Sequence, residues 1–388
     1  MTGVIAGLQG YSFAKLGALY PSGGGLLTYL SRGFGEGHIA GVGAWLFFTA
    51  GSIVVGMIAS SFGGYASSVV AAGDPFWAKV LGVLLILAMT GLNAIGSKAV
   101  SKVQSLLVTV VLVILVLFAA VTITNLDPVL LAPSGYPGVR EIIASVALTF
   151  FAFLGFGVIT FTAKDLRDPA RELPRAIYFA LSIAATVYVA ISIGVFGTLT
   201  ADQVVEYGAT AIAEAAKPTL GQAGYVLMVI TALLSTTGAV NAGLYPSIGM
   251  TRSLASSGQF PPVLGGSLGR FPVGLLVMAA FASVLVVGFD LTSIASIGSA
   301  VALLVFSTVT IGHFRLYRDP GASIVVLAIA LLATLGTLII FCTTTLVNEP
   351  TTAVALVVIV VLAVAADLLW KRRRGLREPA KETGHHGG

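Results

Sequence analysis

Uncharged apolar runs of about twenty residues, separated by short polar or charged segments, recur along this whole chain. Wound as a helix at about 1.5 Å per residue, such a run crosses a hydrocarbon core of about 30 Å. Eleven runs meet this measure, at residues 3–19, 39–70, 77–96, 103–125, 142–163, 176–199, 221–250, 273–289, 291–312, 322–346 and 351–370. The polar stretches between them carry their own signals. Thr200 stands three residues before Gln203, a capping box, and predicts a helix across Thr200 to Pro218 lying on one face of the spans. Asp168 followed by Pro169 has the residue types of an N-cap and first position, and predicts a short helix there.

Composition sharpens this into a class. Hydrophobic residues make up 57% of the 388-residue chain and charged ones 10%, too little polar surface to cover a soluble globule. The pattern predicts an all-α polytopic membrane protein embedded in a lipid bilayer. Eleven crossings put the termini on opposite sides. Alternate connections hold Arg32; Lys98 and Lys102; Lys164, Arg167, Arg171 and Arg175; Arg252 and Arg270; and Arg315 and Arg318. The intervening ones hold only Lys79, Arg140 and Lys217. Short cytoplasmic loops are enriched in Lys and Arg, so the first set and the C-terminal tail, 371–388, are expected to be cytoplasmic, with the tail disordered. Six basic residues, Lys371, Arg372, Arg373, Arg374, Arg377 and Lys381, follow the last span, and a cluster placed there fits anionic lipid rather than nucleic acid. The single cysteine, Cys342, excludes an intramolecular disulfide and a multi-cysteine metal site. No span carries a cluster of His or carboxylates suited to metal or acid–base chemistry, so neither an enzyme nor a resident cofactor is expected.

The fifth run contains Phe151-Ala152-Phe153-Leu154-Gly155-Phe156-Gly157, where two glycines two apart weaken the helix at mid-membrane depth. Backbone groups freed there are tolerated where they line a protein cavity, and a polar solute is their natural partner. The segments FFAFLGFGVITFTAKDLRDPARELPRAI, LLSTTGAVNAGLYPSIGMTRSLASSGQFPPVL and FAKLGALYPSGGGLLTYLSRGFG resemble, in family order, the sixth, eighth and second helices, with their adjoining loops, of the amino acid–polyamine–organocation (APC) transporters. The resemblance implies a fold of two inverted five-helix repeats followed by two accessory helices. By the same resemblance, eleven of the usual twelve helices are expected, the family's first helix being the one without a counterpart. Under that reading, residues 1–125 hold helices two to five, 141–315 helices six to ten, and 320–370 helices eleven and twelve.

The resemblance also implies a function: a secondary active transporter of amino acids or related amines, working by alternating access across the plasma membrane. A truncated, non-transporting relic of such a permease is the alternative reading, and a homodimer stays open. Substrate would be met by opened backbone at Ala152, Phe153, Leu154 and Gly155, with Gly157 beside it and Phe151 as an aromatic gate. Phe48 and Ser52 of the third family helix, and Asn241 and Gly243 of the eighth, are the further candidates. Ser235, Thr236 and Thr237 match the region where sodium-coupled relatives of the fold bind their ion, although such hydroxyls commonly bond to their own helix. Gly157 replaces the acid of the family's GFE triplet, Lys15 replaces the Glu of its YAEL motif, and Val111 stands where some members have a lysine. With no ionisable residue near the centre of any span, the residues present fit exchange or uniport rather than a proton relay.

Overall fold

A computed structural model describes residues 1–22, 24–95, 100–132, 136–319 and 321–375. Each apolar run becomes helix. The elements in order are α1 (Thr2–Leu19), α2 (Leu26–Phe34), α3 (His38–Val70), α4 (Pro75–Ile95), α5 (Val100–Thr124), α6 (Val139–Thr149), a 3-10 segment (Phe150–Asp165), α7 (Pro169–Phe196), α8 (Ala201–Tyr207), α9 (Ala211–Ser256), α10 (Pro262–Gly265), α11 (Val273–Gly288), α12 (Leu291–Arg315), α13 (Ile324–Phe341) and α14 (Pro350–Gly375). A two-residue hairpin, Ser267–Leu268 with Phe271–Pro272, is the strand content of the described residues. Nine described helical stretches are long and apolar enough to cross a bilayer, and Val273–Gly288 is a shorter apolar helix.

Many hydroxyls inside these helices turn back onto their own backbone, a bond that lipid cannot supply. Ser52 donates to the Phe48 carbonyl, Thr90 to Ile86, Thr122 to Phe118 and Thr231 to Leu227. Small residues then set how closely helices approach. α3 lies at the centre, packed by α4, α9, α11, α12 and α14. A Cβ on Gly63 would fall 2.0 Å from the Ala78 carbonyl oxygen, and one on Gly82 would fall 2.7 Å from that of Ala59, so α3 and α4 touch backbone to backbone. Elsewhere α1 lies along α7, where Gly10 admits Leu181 and Ile177, and Gly17 admits Leu173. The 3-10 segment packs against both α1 and α7.

The two ends of the bundle differ in charge. Arg315 donates to the Gly33 carbonyl, Lys371 to Gly37 and Arg374 to Gly258, so basic residues from the ends of helices far apart in sequence gather at one end, the basic end. The far end holds Lys79, which donates to the Val287 carbonyl, and the Thr2–Thr149 hydroxyl pair. Lys98, and the tail residues Arg377, Lys381, His385 and His386, lie outside the described residues.

Four local expectations change. The run 142–163 neither stays α-helical nor opens: α6 ends at Thr149 and the chain continues as a 3-10 helix of 16 residues. Pro169 does start a helix after Asp168, yet that helix is not short, since it continues through Pro174 to Phe196, and Asp168 pairs with Arg171 instead of capping. The Thr200–Gln203 capping box forms and starts α8, but α8 ends at Tyr207. After a 3-10 turn the chain enters α9, which runs through Pro218 into the seventh apolar run, with a kink at Gly221, whose φ of 61° suits glycine. The basic cluster after the last span is no loose tail at its start: Lys371 to Arg374 extend α14.

Candidate functional site

Three residues per turn stack every third side chain in a 3-10 helix, and this dictates what the segment Phe150–Asp165 presents. Ala152, Gly155 and Val158 form an exposed column, while Phe150, Phe153 and Phe156 form one buried column and Phe151, Leu154 and Gly157 the other. The buried aromatics lock the segment in place. Phe150 and Phe156 meet Phe306 of α12 at ring-centroid distances of 5.8 and 5.4 Å, and Phe13 of α1 joins Phe156 at 5.2 Å and Phe306 at 4.9 Å. Such tilted and edge-on contacts add about 0.5–1.5 kcal/mol each beyond the area they bury.

A cavity of about 1050 Å³ opens beside this segment, walled by α1, α3, α5, α7, α9 and the segment itself. It reaches from the far end, at Met1, Tyr65 and Ala209, to mid-depth, at Gly7, Phe153 and Thr236. Ala152 and Phe153 form one wall. The Tyr188 hydroxyl of α7 donates to the Ala152 carbonyl at 3.0 Å, and its ring stands edge-on to Phe153 at 5.2 Å. Opposite them, α9 contributes Ser235 and Thr236, and α3 contributes Ser61 and Tyr65. No charged side chain lines the cavity among the described residues. Its surface is mostly apolar, with the hydroxyl-bearing residues Ser61, Tyr178, Ser182 and Ser235 among those that line it. No group of three His, Cys, Asp or Glu suited to a metal occurs among the described residues.

The sequence-derived candidates divide. Ala152, Phe153, Ser235 and Thr236 share this cavity. The remaining ones are placed in helix packing. Phe151 lies over Gly298 of α12, where an added Cβ would fall 2.1 Å from its ring. Leu154 is buried and Gly157 rests against Phe13, whereas Gly155 is the exception, exposed, and a Cβ added to it would meet nothing within 4 Å. The Phe48 ring stands edge-on to Phe260 at 6.0 Å, and the Ser52 hydroxyl turns back onto its own helix. Asn241 accepts from the Asn93 side chain at 2.8 Å, joining α9 to α4, and Gly243 admits Val55 of α3. Thr236 and Thr237 donate to Ala232 and Leu233 one turn back, so both hydroxyl protons are spent within α9. Backbone opened around Ala152 to Gly155 is corrected to continuous 3-10 helix, whose ladder keeps the amides internally bonded.

Sequence reasoning missed the α7 wall, formed by Tyr178, Ser182, Tyr188 and Ser192. Their signal is polar residues at spacings of four, Tyr178 with Ser182 and Tyr188 with Ser192, inside an otherwise apolar run.

A family model described as "Amino acid permease" matches residues 1–366. The inner membrane transport protein YbaT of Escherichia coli is 30% identical over 338 residues, covering 86% of this chain and 78% of that protein. The uncharacterized protein MJ0609 of Methanocaldococcus jannaschii is also 30% identical, over 87% of this chain and 78% of its own length. Among solved structures, the crystal structure of MhsT in complex with L-phenylalanine superposes with a TM-score of 0.57 at 12% identity, over 87% of this chain and 88% of that one. That superposition shows a shared fold.

Proposed function

The chain belongs to the amino acid permease family, and from that premise we propose that this secondary amino acid transporter carries neutral amino acids with apolar or aromatic side chains, bound in the cavity beside Ala152 and Phe153. The observation that carries this reading is the uncharged wall. A carboxylate or a guanidinium on the substrate side chain would meet no side chain of opposite charge there, and burying an unpaired charge is costly. A zwitterion's own charges have partners of the right kind: carbonyls of the 3-10 segment for the ammonium, and the hydroxyls of Ser61, Tyr65, Tyr178 and Ser235 for the carboxylate. Phe153 and Tyr188 supply flat apolar faces for the side chain.

The cavity opens at the far end. With the basic end on the cytoplasmic side by the charge rule, the conformation described here is outward-facing, in the plasma membrane, with α14 ending in the cytoplasm. α3, α4, α9 and α11, packed on one another, form the frame against which α1, the 3-10 segment and α7 rock to expose the site to the other side.

Exchange in proteoliposomes tests the reading. Preloaded, radiolabelled L-phenylalanine or L-leucine is expected to exchange at least about tenfold faster than L-lysine or L-glutamate, about 1.4 kcal/mol of discrimination. Ala152→Trp, which fills the mid-depth part of the cavity from a wall already facing it, is expected to abolish exchange without lowering thermal stability. Equal rates for lysine and leucine, or an Ala152→Trp variant as active as the parent, would reject the site.

A further inference from the structure

Apart from the large cavity, the far end carries a second hollow of about 450 Å³, within the roughly 300–1,000 Å³ that small-molecule sites occupy. One wall is the first turn of α6, with Arg140 and Glu141. The other is the corner between α13 and α14, with Thr343, Thr344, Val347 and Asn348. That corner departs from regular winding. The end of α13 widens into a π-turn over Cys342–Leu346, with no proline or glycine to cause it, and such turns recur at functional sites.

Donors and acceptors are unevenly divided across the hollow. The Thr343 and Thr344 hydroxyls donate to the Ile339 and Ile340 carbonyls at 3.0 and 2.6 Å, so their protons are spent and lone pairs remain. Asn348 donates its amide to the Thr344 carbonyl at 2.7 Å, which leaves its side-chain oxygen as an acceptor. Glu141 gives one carboxylate oxygen to the Gly138 amide at 2.7 Å and keeps the other. Against these stands Arg140, exposed and with no hydrogen bond or ion pair among the described residues. The set calls for a ligand with several N–H donors at one end and an anion at the other, that is, a primary ammonium close to a negative group.

The helix faces that lead away from the hollow say where such a group comes from. Ile339 of α13 and Val354 and Val357 of α14 are exposed, and in a bilayer an exposed apolar face lies against acyl chains. A polar hollow at the head of a lipid-facing surface has the build of a phospholipid site. We propose that it binds the headgroup of a phospholipid with a primary amine, its phosphate on Arg140, its ammonium among Glu141, Thr343, Thr344 and Asn348, and its chains along α13 and α14. Seated there, the lipid joins the outer end of α6, which leads into the 3-10 segment, to the α13–α14 corner. The site is separate from the substrate cavity, and its test requires no transport.

Native mass spectrometry of the purified full-length protein, incubated with equimolar dioleoyl phosphatidylethanolamine, phosphatidylcholine and phosphatidylglycerol, counts which lipid is retained. The ethanolamine lipid is expected to be held at least about fivefold better than the other two, because the choline ammonium has no N–H to donate and the glycerol headgroup has no cation. Arg140→Gln removes no side-chain contact among the described residues, and is expected to lower retention of all three by about fivefold. Glu141→Gln keeps a residue type that closes the first turn of a helix but loses the charge. It is expected to bring the ethanolamine and choline lipids within about twofold of each other. Thermal unfolding of both variants without lipid, expected within about 1 °C of the parent, separates loss of a ligand from loss of the fold. Equal retention of the ethanolamine and choline lipids by the parent, or an ethanolamine preference that survives Glu141→Gln, would overturn the proposal. So would stabilisation by free phosphoethanolamine with no lipid retained, an outcome that gives the hollow to a soluble zwitterion.

Discussion

At the scale of single residues, glycine positions carry much of the specification, because each marks a place where another group occupies the space of a side chain. Gly298 is the sharpest case near the site: a Cβ there would fall 2.1 Å from Phe151 and 2.9 Å from Ile53. Gly298→Ala must therefore push Phe151 off α12, at the cost of overpacking, about 1–3 kcal/mol. We expect a lower thermal unfolding midpoint in detergent, and a Phe151→Leu change in the same chain should restore part of it. The sequence offers Phe151 as a gate over substrate, and in this structure its ring is buried on Gly298: a sequence does not say which of three neighbouring aromatics faces a cavity. Ala152 and Phe153, offered as candidates on the ground of loosened backbone, line the cavity while wound in 3-10 helix.

At the scale of elements, the helices themselves were readable because length and uncharged composition suffice to define a crossing in lipid, whatever the packing. Caps were readable where the motif is local, as at Thr200 and Gln203, and less so where a charged neighbour competes, as Arg171 does at Asp168. Asp290 is a cap that works: its carboxylate accepts from the Ser293 amide at 2.8 Å and hydroxyl at 2.9 Å at the start of α12. Burial opposes its ionisation, but the Ser293 bonds outweigh that, and the carboxyl titrates below the usual carboxylate range. A depressed acid stabilises the fold above its unfolded pKa and loses that contribution as pH falls through the folded value. Asp290→Ala should therefore cost about 1 kcal/mol at neutral pH, with the gap to wild type narrowing below about pH 4; pH-dependent thermal melts of both proteins check it. The 3-10 winding was hidden for a different reason. The column Ala152, Gly155, Val158 has a period of three in plain view, yet the same two glycines read equally well as a helix break.

At the scale of the whole molecule, the C-terminal helix is tied to the frame by a buried charge. Asp367, inaccessible to solvent, accepts from His38 at 2.6 Å and forms an ion pair with the Lys371 ammonium at 2.9 Å, and Gly41 leaves room for it, since a Cβ there would sit 1.9 Å from its carboxylate. Trp370 of the same helix donates to the Gly258 carbonyl beyond α9. Losing one member of a fully buried pair costs about 3–5 kcal/mol; here His38 and Lys371 both reach water, and we expect about 2 kcal/mol for Asp367→Asn. Detergent melts should show the loss, and limited proteolysis should find the end of α14 newly cleavable. None of this was visible in sequence, where Asp367 reads as one acid beside a basic cluster. The 3-10 segment, finally, sets a length scale for the whole assembly. Sixteen residues wound three to the turn extend about 32 Å, whereas the same residues rewound as α-helix extend about 24 Å and make nearly one turn fewer. The segment is thus a screw: a change of pitch alone draws its two ends together by about 8 Å while rotating Ala152 out of the wall it now forms, a stroke on the scale of a single amino acid.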